Sequence, residues 1–364
     1  MFSQDALNNI NNCYMCWMCR HVCPIGLTSG RELHTPRGKG LLLKFATQNQ
    51  EVLKETAEAM YACFLCKNCS AWCETGFDPT VFIRDARREL VAADCLPERI
   101  QAVVDRTMDS TLYGEKAMTG ALKEAVDALP DQAPVLLVLG DAVVAHQPEI
   151  GLAAISLLKK AGMAFTVLKE EPTPAADLYD LIGELSNVQD RARDFADAVR
   201  ESGCKTVVAM DPFTARILIQ DYPRWGVELP PVRTATSYFA ELLLQNKLTV
   251  RAKLDVPVTY HDSERLARDL EETEEPRQLV QAIAGPWKEI FLNRRNTRSC
   301  GNDVVASYHP EIVARTSRLR MDDAMRTGAK LLITASPSDK AILSRVSDNA
   351  IKVEDIFVLL DSCC

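Results

Sequence analysis

The chain has 364 residues, 47% of them apolar and 25% charged, with a formal net charge of −8. That length exceeds what one core usually serves, so two or three globular domains are expected, while the acidic balance argues against a nucleic-acid partner, which needs a basic face to displace counterions from phosphates. The longest apolar stretch, residues 133–145, is too short to span a bilayer and carries Asp141 inside it, so no direct membrane span is expected.

In chain order, the opening "MFSQDALNNINN" has neither the basic start nor the apolar middle of a secretory signal, and a cytoplasmic location follows as the expectation, with any membrane contact made through a partner. Thiols stay reduced there, so the thirteen cysteines read as metal ligands rather than disulfides. Eight of them form two runs, Cys13, Cys16, Cys19, Cys23 and Cys63, Cys66, Cys69, Cys73, each spaced C-x2-C-x2-C-x3-C, the first followed by Pro24. Cys95, Cys204, Cys300, Cys363 and Cys364 are scattered. Four-cysteine zinc sites use CxxC pairs separated by a longer loop, and a third cysteine at x2 with a fourth at x3 fits them poorly. Three thiolates on successive x2 steps instead wrap one corner of a [4Fe-4S] cubane, and in paired runs the last cysteine of each serves the other cluster. Two [4Fe-4S] clusters are therefore expected, one on Cys13, Cys16, Cys19 and Cys73, the other on Cys63, Cys66, Cys69 and Cys23. Tyr14, Met15, Trp17, Met18, Phe64, Leu65 and Trp72 would supply a dry shell, and Arg20 and His21 either bond cluster sulfur or face a partner.

Between the runs, residues 40–63 place apolar side chains at Leu42, Phe45, Ala46, Val52, Leu53, Ala57 and Met60, roughly at helical period. "DPTVFIRDARREL" opens with a helix start signal. Residues 1–95 thus read as an α-helical two-cluster ferredoxin domain; their charges balance, which favours a fixed partner over a freely diffusing carrier. Residues 96–131 hold two helical patterns broken at Tyr113 and Gly114, and "LPDQAP" punctuates them. Beyond lie alternating strands and helices: "VLLVLG", "EIGLAAISLLKKAG" ending at Gly162, "AFTVLK" and "TVVAMD". The pattern recurs. Residues 202–220 align with 327–345, and 234–244 with 351–361, so two copies of one α/β domain are expected over 132–250 and 251–364, facing each other across a cleft.

This order of parts, with "CYMCWMCRHVCPIG", "TPRGKG" (35–40), "CFLCKNCSAWC" and two repeats containing "VTYHD" and "SCG", resembles the iron-sulfur proteins related to the D-type subunit of heterodisulfide reductase. Relatives include the glycolate oxidase iron-sulfur subunit, the small subunit of anaerobic glycerol-3-phosphate dehydrogenase, and lactate-utilisation and demethylase proteins. The resemblance implies a cysteine signature in each repeat, with a cysteine after the first strand, a Cys-Cys-Gly and a Cys-Pro-x-Cys that hold a further cluster or metal. Those positions here read Asp211, Pro212, Phe213 and Thr214 in the first repeat, and Glu264, Ser299, Cys300, Gly301, Ser336 and Asp339 in the second. One thiolate cannot hold a cubane. Asp211, Thr214, His261, Asp262, Glu264, Ser299, Cys300, Ser336 and Asp339 could still line a cleft, but a scaffold that lost its metal and became a docking surface is the expectation. "TPRGKG" could fold over a cluster, its glycines permitting close approach. Cys95 and Cys204 read as inert thiols, and Cys363 and Cys364 as a frayed tail.

No phosphate loop, nucleophile elbow or zincin motif suggests an independent catalytic site. By resemblance the chain is an electron-transfer subunit of a multisubunit oxidoreductase. Its partner would be a flavoprotein dehydrogenase subunit, and its acceptor a quinone-linked membrane subunit, a further iron-sulfur subunit, a ferredoxin or an electron-transfer flavoprotein. Alternatives are a heterodisulfide-type reductase with its site in the repeat cleft, and a docking protein whose clusters are structural.

Overall fold

The computed structural model describes residues 2–47, 49–347 and 350–364. Its first part is helical. Helix Gln4–Asn11 packs along helix Pro79–Ala92, pinned by the Ser3 N–H donating to Asp85 Oδ2 (2.6 Å) and the Asp78 N–H donating to Asn9 Oδ1 (3.0 Å). The two paired helices thereby bracket both cysteine runs in sequence and draw the ends of that segment together. The helical pattern between the runs resolves into three helices, Pro36–Ala46, Gln50–Glu55 and Ala57–Tyr61. Local side chains make the breaks: Asn49 Oδ1 accepts the Glu51 N–H (3.0 Å), and Thr56 Oγ1 donates to the Leu53 carbonyl (2.7 Å).

Helices Glu98–Asp109 and Gly120–Asp127 lead into the α/β part. Strands β1 (Val135–Val138), β2 (Phe165–Thr166), β3 (Thr206–Ala209) and β4 (Val232–Thr234) form a parallel sheet in the order β2-β1-β3-β4. Strands β5 (Val258–His261), β6 (Leu331–Thr334) and β7 (Lys352–Asp355) form a second, in the order β5-β6-β7. Central strands β1 and β6 are buried along their whole length because helices cover both faces. A parallel bridge between Val258 and Trp287 stands where the first sheet has β2.

Register in the two sheets corrects one detail of the sequence alignment between them. Val207 pairs with Val232, and Leu332 with Val353. Thr234 then caps helix Ala235–Leu244, as Asp355 caps helix Ile356–Cys363. Thr234 therefore corresponds to Asp355, whereas the sequence alignment of 234–244 with 351–361 set it against Ile351. That error is close to one helical turn, a slip that an apolar helical pattern tolerates and strand pairing does not.

The two units meet reciprocally. Helix Pro148–Lys160 of the first packs on Ile356–Cys363 of the second, and Ala235–Leu244 of the first on Glu274–Ile283 of the second, the exchange that a twofold relation produces. Leu137, Phe239, Tyr260, Ile333 and Phe357 share one core across that contact. Cys363 is buried there, and the N–H groups of Arg251 and Ala252 bond its carbonyl at 2.8 and 3.2 Å, so the chain end is packed rather than frayed as expected.

Where the helical part and both units converge, Asp180 on helix Ala176–Ile182 is 1% exposed. Arg84 of the helical part reaches it at 3.0 Å, Arg265 of the second unit at 2.6 Å, and Arg216 of its own unit at 3.9 Å. Burial pushes this carboxyl up, but Arg265, Arg84 and Arg216 outweigh it and hold the pKa below the ordinary carboxylate value. A depressed pKa in the folded chain contributes stability above the unfolded value near about 4, and that contribution fades as pH falls through the folded value. Asp180→Ala should cost about 3–5 kcal/mol at neutral pH by leaving the buried Arg84 without its carboxylate and stripping one partner each from Arg265 and Arg216, which keep Asp269 and Asp221. Denaturant unfolding of wild type and variant at pH 7 and near pH 3 checks this: the gap should narrow at the lower pH, and an equal gap at both would refute it.

Candidate metal centres

Both cysteine runs adopt one backbone shape. The residues flanking the middle cysteine are left-handed in each, Met15 (φ 58°) and Trp17 (φ 72°) around Cys16, and Leu65 (φ 53°) and Lys67 (φ 56°) around Cys66. None is glycine, so each costs roughly 1–2 kcal/mol. Strain repeated at matched positions marks a geometry imposed by what the sulfurs surround. A short helix follows each reversal, Met18–Val22 or Asn68–Ala71, and carries the third cysteine.

Cys63, Cys66 and Cys69 line a narrow cavity, and Cys23 of the first run lines it with them. Cys23 is placed there as the N-cap of helix Pro24–Ser29, its Sγ accepting the Gly26 N–H at 3.4 Å. Asn68 Nδ2 donates to the Val22 carbonyl at 2.8 Å and ties the two runs together. Burial raises the thiols, Cys66 to about 12, Cys69 well above its usual value and Cys23 likewise. In the absence of iron these sulfurs hold protons; binding to metal releases them.

"TPRGKG" is a helix start rather than a loop. Thr35 caps helix Pro36–Ala46, and Gly38 lies so close to the Glu32 carbonyl that a Cβ would sit 2.1 Å from its oxygen. Pro36 and Lys39 thereby join the cavity wall. Lys39 is 1% exposed, donates to the His34 carbonyl, and opposes the rise of the Cys23 thiol. A buried ammonium among four sulfurs suits an anionic iron-sulfur cluster, so the donor set and the charge of this cavity both fit one.

Cys13, Cys16 and Cys19 stand at the outer end of the first run. Burial raises Cys19 to about 11; the Arg37 backbone N–H opposes the rise, and Cys13, Cys23 and Cys16 add to it. Cys73 is half-buried, its Sγ 3.3 Å from the Thr75 hydroxyl. The shell here differs from the expected dry one. Phe64 and Leu65, whose carbonyls bond Asn302 and Arg265 of the second unit, are 1% exposed, but Tyr14, Trp17 and Met18 of the first run are 81%, 43% and 47% exposed, and Trp72 of the second run 36%. Arg37 stacks on Trp17 at 3.7 Å and Arg20 at 5.5 Å, while His21 is exposed.

The cover over the second run is built from polar side chains that the sequence reading did not single out. Four successive carbonyls each receive a donor: Cys63 from Arg87 Nη2 (2.8 Å), Phe64 from Asn302 Nδ2 (2.9 Å), Leu65 from Arg265 Nη1 (3.1 Å) and Cys66 from Arg268 Nε. Lys67 pairs with Asp269 at 2.8 Å. Residues Arg265–Asp269 form a single π-helical turn, a form common at functional sites. With its carbonyls held outward, the run turns N–H groups toward sulfur, as the Leu65 N–H does toward Cys63 Sγ at 3.4 Å.

The downstream candidates divide into two groups. Asp211 caps helix Pro212–Arg216, accepting from Thr214 N (3.1 Å) and Oγ1 (3.2 Å), and faces a small cavity shared with Tyr113, Asp141, Asp177 and Asp303. His261, Glu264, Ser299, Cys300 and Asp339 gather in the second unit, linked by Cys300 Sγ to Asp339 Oδ1 (3.3 Å) and Ser299 Oγ to Glu264 Oε1 (2.9 Å). Asp262 does not join them, being clamped by Arg277 at 2.6 and 2.9 Å. Ser336 serves as the cap of helix Pro337–Arg345. Cys95 and Cys204 are half-buried.

A 4Fe-4S dicluster domain matches residues 9–77. The D-type subunit of the dihydromethanophenazine:CoB–CoM heterodisulfide reductase of Methanosarcina acetivorans is 26% identical over 97% of this chain and 94% of its own length. A probable membrane-anchored ferredoxin of Chromohalobacter salexigens is 27% identical over 82% of this chain, which spans only 47% of that protein. Among the described residues, no helix of this chain is long and apolar enough to cross a membrane. The crystal structure of a hypothetical protein from Helicobacter pylori shares the fold, with a TM-score of 0.59 at 9% identity over 89% of this chain and 66% of that one. Asn302→Ala, which bares the Phe64 carbonyl and uncaps helix Asp303–Ala306, should cost about 2–4 kcal/mol. Thermal unfolding of the iron-loaded chain measures it, and a loss under about 0.5 kcal/mol would show that the cover contributes nothing.

Proposed function

From its membership of the iron-sulfur family that includes the D-type subunit of heterodisulfide reductase, we infer that this chain relays single electrons between a flavin-bearing dehydrogenase partner and a downstream acceptor. The acceptor would be a quinone-linked subunit, a ferredoxin or an electron-transfer flavoprotein. Cys63, Cys66, Cys69 and Cys23 would hold one [4Fe-4S] cluster, and Cys13, Cys16, Cys19 and Cys73 the other. When bound, such clusters supply reversible one-electron reduction, with the protein setting their potential and position.

The observation that carries this reading is the presence of Cys23 in the wall of the second run's cavity. A zinc site built from one run would not need it, whereas paired cubanes exchange their fourth ligands. The remaining side chains act on charge and access. Lys39 places a positive charge beside Cys23, and Arg87, Asn302, Arg265 and Arg268 hold the run's carbonyls away from the sulfurs and exclude water. Tyr14, Trp17 and Met18 offer a solvent-facing apolar surface beside Cys16, suited to a redox partner.

The two α/β units are proposed as degenerate Cys-Cys-Gly-type repeats over 132–250 and 251–364 that support the clusters and dock neighbouring subunits. A heterodisulfide-cleaving cluster within them is disfavoured by ligand count, since Cys300 is the one cysteine at the signature positions.

Anaerobic purification should give about eight iron atoms per chain. Cys23→Ser and Cys63→Ser should each abolish the same EPR signal and leave about four iron atoms, while Cys73→Ser and Cys13→Ser abolish the other. Loss of one signal by both Cys23→Ser and Cys13→Ser would overturn the exchange of ligands.

A further inference from the structure

Three cations surround the cavity of Cys63, Cys66, Cys69 and Cys23 without a counter-charge. Lys39 on helix Pro36–Ala46, Arg87 on helix Pro79–Ala92 and Arg268 in the π-helical turn are 1%, 0% and 9% exposed. Among the described residues, none of the three pairs with a carboxylate. Lys39 donates to the His34 carbonyl, Arg87 to the carbonyls of Met60, Asp180 and Cys63, and Arg268 to those of Cys66, Arg295 and Thr297. Carbonyls satisfy the donors but do not neutralise a full charge, and a buried charge left in that state is costly unless an anion lies beside it. The neighbouring cations are different: Arg84 and Arg265 meet Asp180, and Lys67 meets Asp269.

Each of the three attends a different cysteine. Lys39 shares the cavity wall with Cys23, Arg87 bonds the Cys63 carbonyl, and Arg268 bonds the Cys66 carbonyl. Arg268 also carries an orphan, since its Nη2 is buried with no hydrogen-bond partner. Nη2 and Nε lie on one edge of the planar guanidinium, so the orphaned N–H groups are on the side turned to the run. Burial acts most strongly on the Cys66 thiol, and of the two opposite charges beside it Arg268 outweighs Glu264. The first run is served differently. Arg20 and Arg37 both reach Glu32, at 3.7 and 3.4 Å, and Arg20 is exposed, so pairing and solvent weaken what charge remains there.

We propose that Lys39, Arg87 and Arg268 are the counter-charges of the inner cluster, the one on Cys63, Cys66, Cys69 and Cys23, and that they lift its reduction potential above that of the outer cluster on Cys13, Cys16, Cys19 and Cys73. An electron entering the chain then comes to rest in the interior. The inference rests on the two-cluster reading given above.

The step is a one-electron transfer from the flavin-bearing partner. It adds one negative charge to the cavity, makes or breaks no bond and moves no proton. Burial by itself opposes it, because added charge is disfavoured in a low-dielectric interior. The same interior magnifies every charge within it, and three cations against Glu264 leave the balance positive. These cations are held by backbone carbonyls before any electron arrives, so their attraction needs no rearrangement to act.

The test is an anaerobic redox titration of the full, iron-loaded chain followed by EPR, with Cys63→Ser identifying the inner signal. In the wild type the inner cluster should be reduced first, an order read without any charge variant. Lys39→Met keeps the methylene stem and removes the charge; it should make the inner cluster about tenfold harder to reduce, a fall of about 59 mV for one electron. The outer potential should stay in place, and Lys39→Arg should recover most of the fall. Arg268→Met should act in the same direction, and it decides the matter if Lys39→Met fails to load. Wild-type iron well below about eight atoms per chain would remove the two-cluster reading and this inference with it. At full iron, an inner cluster harder to reduce than the outer one, an unmoved inner potential in the loaded variants, or an equal shift of both clusters would overturn this inference alone.

Discussion

Asp180 accepts charge from three directions: Arg84 from the helix behind the cysteine runs, Arg216 from its own unit, and Arg265 from the other. Arg87 adds a bond to its carbonyl at 2.5 Å. A buried carboxylate is tolerated only when so surrounded, and the arginines are tolerated because Asp180, with Asp269 beside Arg265 and Asp221 beside Arg216, balances them. The arrangement therefore specifies one mutual placement of the three parts of the chain. Arg265 passes that placement on, since the guanidinium that meets Asp180 also bonds the Leu65 carbonyl. The position of the second cysteine run thus rests on a contact in which no sulfur takes part.

The two runs end up in different surroundings. The second is covered by Arg87 of the helical part and by Arg265, Arg268 and Asn302 of the second unit, and the first lies under half-exposed and exposed aromatics. Burial and hydrogen bonding to sulfur set cluster potentials, so two identical spacings in one chain need not give two identical redox centres. A surface site that trades electrons with other proteins and an interior site shielded from water make a natural order for a relay.

Much of this was legible in the sequence for a local reason. The short x2 spacing brings Cys63, Cys66 and Cys69 to one cavity wall within a few residues, and apolar strands alternating with helices announce parallel units. The parts that were not legible depend on distance or on phase. Nothing near Cys66 in sequence indicates that Arg268 will bond its carbonyl. The apolar helix after β4 matches the one after β7 equally well one turn out of step, and only the pairing of Leu332 with Val353 fixes it. Exposure of Tyr14 and Trp17 followed from which run the later units came to cover. Lys39 was visible inside "TPRGKG", but its role appeared only once helix Pro36–Ala46 turned it toward Cys23.

The carbonyls of Phe64, Leu65 and Cys66 are filled by Asn302, Arg265 and Arg268, side chains about 200 residues downstream. The cysteine-bearing segment is for that reason not a self-sufficient cassette that could be excised or grafted onto another protein with its walls intact. Selection acting on the first hundred residues reaches into the last hundred through those bonds. The second downstream unit is bound to that segment whether or not it holds ligands of its own, because the segment would be incomplete without Asn302, Arg265 and Arg268.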